Sequence, residues 1–158
     1  MNIRTVILLA TLAVAGNAAE LSIGNGTIKT AGQPVTLNVT LASSGASLSG
    51  LQFDLEYDAA SLNVTVAAGP ALGTASKNLQ SAVLQPGRQR ILIVGMNQTA
   101  IADGAVAVLQ VSLKDHAGAG KTFPIRITTP AGTNPQAQPV AVSGGSGSVK
   151  VELNGNPK

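Results

Sequence analysis

The chain has 158 residues, a formal net charge of +3, no cysteine, and only 2% aromatic and 11% charged residues. The missing cysteines exclude a disulfide-stapled scaffold, and the absence of a Lys/Arg cluster or of rings that stack bases excludes a nucleic-acid-binding surface. Eighteen glycines and eight prolines among many valines and threonines favour short strands joined by turns over long surface helices.

In chain order, residues 1–19 have the pattern of an export signal: a basic start ending at Arg4, an apolar run over 5–15 and a small-residue region over 16–19. The apolar run is shorter than the roughly 20 residues that cross a bilayer. Cleavage after Ala18 or Ala19 is therefore expected, giving a secreted protein with no retained membrane segment. Residues 20–158 then form one domain, long enough to bury a core without staples.

Apolar or alternating segments follow at 20–29, 34–41, 48–57, 62–67, 72–84, 88–96, 104–113, 121–128, 138–142 and 146–153, separated by Gly, Pro, Asn and Ser. In 34–41 the residues Val35, Leu37, Val39 and Leu41 alternate with Thr36, Asn38 and Thr40, the period of a half-buried strand. The same period sets Leu51, Phe53, Leu55 and Tyr57 against Gln52, Asp54, Glu56 and Asp58. Asp58 begins a turn, where a short carboxylate accepts backbone N–H groups. Many short strands at this spacing predict an all-β fold, a β-sandwich of jelly-roll type with about nine strands. Leu37, Val39, Leu51, Phe53, Leu55, Tyr57, Ile91, Leu109, Val111, Ile125 and Val151 are its expected core.

The pattern GLQFDLEYDAASLNV, then RILIVGMNQTAIADGAVAVLQVSL, AGKTFPIRI and a closing GSGSVKV, resembles the cohesin domain of cellulosomal scaffoldins over nearly all of residues 20–158. The most specific element is the spacing of Phe53, Tyr57, Asp58 and Leu62 combined with Asp103–Gly104 and the apolar strand after it. Cohesins are sandwiches related in fold to carbohydrate-binding modules, and they bind dockerin modules through one sheet face. Calcium in such pairs belongs to the dockerin. Where cohesins carry an outward Asn and Asp that bond the dockerin, this chain has Gly50 and Gln52. The resemblance also implies a bacterial source, in which the Asn-x-Ser/Thr patterns at Asn25, Asn38, Asn63 and Asn97 stay unglycosylated.

No enzyme is read from these residues. His116 is the one histidine, so neither a Ser–His–acid arrangement nor a histidine metal site has the groups it needs, and no GxSxG occurs. The sequence AGAGKT over 117–122 ends like a P-loop, but Asp115 stands where the first glycine belongs and a strand is expected to follow. Asp54, Glu56 and Asp58 on one strand do not offer the six to eight converging oxygens that calcium takes. No cofactor and no metal are expected.

In the segment 88–96, Ile91 and Ile93 have one parity and Leu92, Val94 and Met96 the other, so one apolar set faces away from the core. Either a loop such as 131–138 covers that set or it is an exposed stripe that meets a partner. The expected reading is a non-catalytic module that docks a dockerin-like protein, with polysaccharide degradation as its setting. Gln52, Asp54 and Glu56 would form a polar row on the sheet surface beside Leu92, Val94 and Met96. The alternative is a carbohydrate-binding module, which the shortage of aromatic rings weakens, since exposed rings are what stack on sugars.

Overall fold

The structure, a computed structural model, describes residues 18–29, 33–114 and 119–152. Residues 1–17 of the leader pattern, Asp115 and His116 lie outside the described residues, whereas Ala19, the last residue of that pattern, begins the first strand. Among the described residues twelve strands run in order: β1 (Ala19–Ile23), β2 (Gly26–Ile28), β3 (Val35–Ala42), β4 (Gly50–Glu56), β5 (Leu62–Ala68), β6 (Asn78–Gln85), β7 (Arg88–Val94), β8 (Gly104–Leu113), β9 (Thr122–Thr133), β10 (Pro139–Val140), β11 (Val142–Gly144) and β12 (Ser146–Val151). One 3-10 turn, Pro70–Leu72, is the sole helical element among the described residues. No helix of the described residues is long and apolar enough to cross a membrane.

The strands make a sandwich. One sheet has the order β11-β1-β3-β8-β5; the other runs β2-β12-β9-β4-β7-β6, with β10 beside β9. The all-β sandwich read from the sequence is what forms, but with twelve strands rather than about nine. The surplus arises because two segments change sheets partway along. Residues 20–29 split at Gly24 and Asn25, where the chain leaves β3 as neighbour of β1 and joins β12 through β2. Residues 138–142 split at Ala141 in the same manner, β10 pairing with β9 and β11 with β1.

Alternation decides what lies between the sheets. Leu37 and Val39 from β3, Leu51, Phe53 and Leu55 from β4, Ile91 from β7, Leu109 and Val111 from β8, Ile125 from β9 and Val151 from β12 are all buried. Phe53, at 0% exposure, is the largest of the fully buried side chains. Tyr57 departs from the expected core and is half-buried. It stands one residue past the end of β4, and its hydroxyl accepts a hydrogen bond of 2.7 Å from the Gln89 amide, which also donates to the Val64 carbonyl at 2.8 Å. The ring thus closes the end of the sandwich with its polar tip at the rim.

The turn after β4 is built as its sequence requires. Asp58 Oδ1 accepts the Ala60 N–H at 3.0 Å and Oδ2 accepts the Ser61 hydroxyl at 3.0 Å. Asp103 acts at longer range, its Oδ1 accepting the Ser43 N–H at 3.0 Å and tying the loop after β3 to the start of β8. Lys121 leads directly into β9, so the residues after AGAGKT form a strand and not the helix a P-loop opens.

Candidate functional site

The outer face of the seven-stranded sheet is built from residues of one parity. On β4 these are Gln52, Asp54 and Glu56; on β7 they are Arg88, Arg90, Leu92 and Val94; on β6 they include Gln80 and Ala82. Pairing sets them in rows across the sheet. Leu92 lies between Gln52 and Gln80, Arg90 between Asp54 and Ala82, and Arg88 opposite Glu56. On the far side of β4, β9 places Ala131 against Gln52 and Arg126 against Glu56.

Ile91 and Ile93 are fully buried, so Leu92 and Val94 are the pair that faces out. Leu92 is half-buried and Val94 is 39% exposed. Residues 131–138 do not cover them. Ala131, Gly132 and Thr133 extend β9 within the plane of the sheet, and the turn beyond is held on itself by Asn134, whose Oδ1 accepts the N–H groups of Gln136 and Gln138 at 3.0 and 2.9 Å. Two shallow hollows result. One, of about 280 Å³, is lined by Gly50, Gln52, Leu92, Val94, Ala131 and Thr133 among others. The other, of about 220 Å³, is lined by Gln52, Gln80, Ala82, Leu84, Arg90 and Leu92 among others. Gln52 and Leu92 border both, so they form the ridge between them.

Asp54 corrects the sequence reading. Its side chain is 0% exposed and does not stand free in a polar row. Arg88 donates to Asp54 Oδ2 from Nε at 2.9 Å and Nη2 at 2.7 Å, while Arg90 donates to Oδ1 from Nε at 2.8 Å and to Oδ2 from Nη2 at 3.0 Å. Four charge-assisted bonds therefore roof the carboxylate with two guanidiniums. The Arg90 hydrogen bond is the largest cause lowering its pKa from 3.8 to about 2. Burial opposes the shift, and Arg88 and the Thr129 hydroxyl add to it. The physical reason for the correction is pairing: β7 lies beside β4 in the register that brings both arginines over one acid, leaving two cations on the solvent side.

The remaining expected residues divide. Glu56 keeps 42% of its side chain exposed and lies 3.9 Å from Arg88 Nη1, at the edge of the arginine pair. Met96 is fully exposed, beyond the end of β7. Its loop is held by Lys77, a buried lysine whose Nζ donates to the Asn97 carbonyl at 2.9 Å and to Asn97 Oδ1 at 2.8 Å. Burial lowers the Lys77 pKa, as it does for any ammonium withdrawn from water. Gln52, Leu92 and Val94 come together as one patch, Glu56 and Met96 lie at opposite ends of it, and Asp54 lies beneath its arginine roof.

Sequence reasoning missed Arg88, Arg90, Gln80, Ala82, Leu84 and Ala131 as parts of this face. For the arginines a signal was present. They share parity with Leu92 and Val94, and two guanidiniums cannot point into a sandwich core, so their parity alone fixes which side of β7 faces out. Nothing local marks the β6 residues, which join the face through pairing. Among the described residues no group of three or more His, Asp or Glu side chains converges as metal ligands would.

A model of the cohesin domain matches residues 19–151 of this chain. Among solved structures, the sixth cohesin of scaffoldin B from Acetivibrio cellulolyticus, in complex with a mutant Cel5 dockerin, is 25% identical with a TM-score of 0.71 over 85% of this chain and 99% of that one. A Clostridium acetobutylicum cohesin solved in solution is 19% identical with a TM-score of 0.72, over 87% of this chain and 92% of that one. A non-cellulosomal cohesin from the hyperthermophilic archaeon Archaeoglobus fulgidus is 12% identical with a TM-score of 0.65, over 84% of this chain and 91% of that one. No curated protein sequence matches the chain.

Proposed function

The chain belongs to the cohesin family, and on that premise we propose that it is a non-catalytic docking module that takes a dockerin-like protein on the outer face of its seven-stranded sheet. Leu92 and Val94 supply the dry centre, and Gln52, Glu56 and Met96 the surrounding rim. Asp54 contributes by fixing Arg88 and Arg90 rather than by touching the partner. The observation that carries the reading is the uncovered Leu92–Val94 pair beside Gln52, an apolar centre with polar neighbours on an open sheet, which is the layout of a protein interface. Several similar cohesins were solved with a dockerin bound.

Gln52 stands where a carboxylate is usual in the family, and its amide both donates and accepts, so this position recognises shape and hydrogen bonding rather than a cation. Polysaccharide binding is less well supported. Phe53 and Phe123 are buried, and Tyr57 is half-buried with its hydroxyl engaged, which leaves no aromatic platform to stack on a sugar. In the same reading the protein is exported from a bacterial cell after loss of its leader and serves an extracellular assembly that degrades polysaccharide.

The test is Val94→Glu, assayed by calorimetric titration against purified dockerin modules encoded in the source genome. Placing a charge at the apolar centre abolishes binding, while stability changes by no more than about 0.5 kcal/mol, as for a surface substitution. Undiminished binding, or a large loss of stability, overturns the assignment of this face.

A further inference from the structure

The two sides of the sandwich end differently. On one side the sheets finish in β11 and β2, each of three residues, too short to template another strand. On the other they finish in β5 and β6, of seven and eight residues. Long free edges in natural proteins are usually blunted by charge, by proline or by a bulge, because a row of unpaired N–H and C=O groups accepts any strand that arrives. The β6 sequence NLQSAVLQ has no charge and no proline. Its one irregularity lies between Val83 and Gln85, which leaves Asn78 to Val83 regularly paired to β7 on one side and open on the other.

Side chains on β6 add a second observation. Leu79, Ser81 and Val83 pair with Ile93, Ile91 and Gln89, all buried, so they have core-facing parity. Val83 is nonetheless 66% exposed, because among the described residues the sheet stops at β6 and no further strand covers it. Leu84, beside it, is 48% exposed.

We propose that β6 pairs antiparallel with the β6 of a second copy of this chain, about a two-fold axis perpendicular to the sheet and midway between the two Ser81 residues. Such an axis preserves the faces of the sheet. It sets Leu79 against Val83 of the second copy on the core side, Gln80 against Ala82 on the solvent side, and Ser81 against itself. The exposed Val83 thereby gains an apolar neighbour across the axis. A two-fold doubles any charge into a like-charge pair, so a neutral strand is the kind that can meet itself, and this interface is isologous and closed. Both docking faces then lie on one side of a continuous sheet, and the dimer presents two sites to a multivalent partner.

Sedimentation velocity of the purified chain from about 10 μM to about 1 mM tests this, a range that reaches weak millimolar association. A dimer is expected at the upper end. Ser81→Lys puts two ammonium groups on the axis and weakens dimerisation at least tenfold with the circular dichroism spectrum unchanged, and Ser81→Glu does the same. A 1:1 mixture of the two restores a heterodimer. Should Ser81→Lys fail to fold, Ala82→Lys, whose side chain is on the solvent face, takes its place with the same expected loss. Wild-type protein that stays monomeric through 1 mM overturns the proposal, even if it captures an isolated Asn78–Gln85 peptide, since that would make the edge a site for foreign strands. A dimer that forms as tightly with lysine on β6 overturns it as well.

Discussion

Four hydrogen bonds from two guanidiniums converge on Asp54, and this makes one residue the main acid-sensitive support of the sheet surface. A carboxyl whose folded pKa is about 2 against 3.8 unfolded contributes stability that is fully present above pH 4 and is lost as the pH falls toward 2. The shift corresponds to on the order of 2 kcal/mol. Asp54→Asn is therefore expected to lower stability at pH 7 by about that amount, and not by the larger loss typical of a broken buried pair, because Arg88 and Arg90 remain partly solvated and can rehydrate. Urea unfolding at pH 7 and at pH 2 checks both halves. The difference between wild type and variant is present at the first pH and largely gone at the second. Phe53→Ala, by contrast, removes a fully buried ring from between the sheets and costs about 3 to 5 kcal/mol at either pH.

At the scale of elements, the β6–β7 hairpin and the end of β4 depend on each other through Gly87. Its φ of +83° is in the left-handed region, and its carbonyl accepts the Tyr57 N–H at 3.0 Å. A methyl group there would lie 2.5 Å from the Tyr57 carbonyl oxygen. Gly87→Ala thus meets a left-handed backbone cost of about 1 to 2 kcal/mol together with that collision, and a fall in thermal midpoint with the fold retained is the expected result. Period 2 made β3, β4 and β8 legible in the sequence, since it reports which residues share a side of one strand. Register and neighbours are not written in that period. Arg88 and Arg90 reach Asp54 across more than thirty residues only because β7 pairs with β4, so the sequence presented Asp54 as surface while the fold covers it. For the same reason the strip of Leu92 and Val94 was visible as apolar and outward, whereas Gln80 and Ala82 on β6 carried no mark of belonging to it. The splits at Gly24 and Ala141 were hidden likewise, because a change of sheet depends on which partner strand is within reach.

For the molecule as a whole, closure of the sandwich rests on strands from the two ends of the described chain. β1 lies between β11 and β3, and β12 between β2 and β9. Ala19 begins β1 at 0% exposure, with its N–H donating to the Ala141 carbonyl at 3.0 Å, and Leu21 and Ile23 follow as core residues. Removing residues 19–23 would delete two large buried side chains, each worth about 2 to 5 kcal/mol even when only truncated to alanine, and would leave β11 without a partner. That loss is comparable with the entire stability of a domain, about 5 to 15 kcal/mol, so a chain beginning at Gly24 is not expected to fold. On the proposal that the protein is exported with loss of a leader, the same geometry chooses between the two cleavage points. Cutting after Ala18 keeps every bond of β1 and leaves small residues, Gly16 and Ala18, at the positions where a signal peptidase requires them. Cutting after Ala19 discards a buried residue and its bond to Ala141, and sets Asn17 where the first small residue belongs. On that proposal the mature chain is expected to begin at Ala19, and the intact mass of protein recovered outside the cell checks this. A mature form beginning at Glu20 would show that β1 closes the sheet without its first residue.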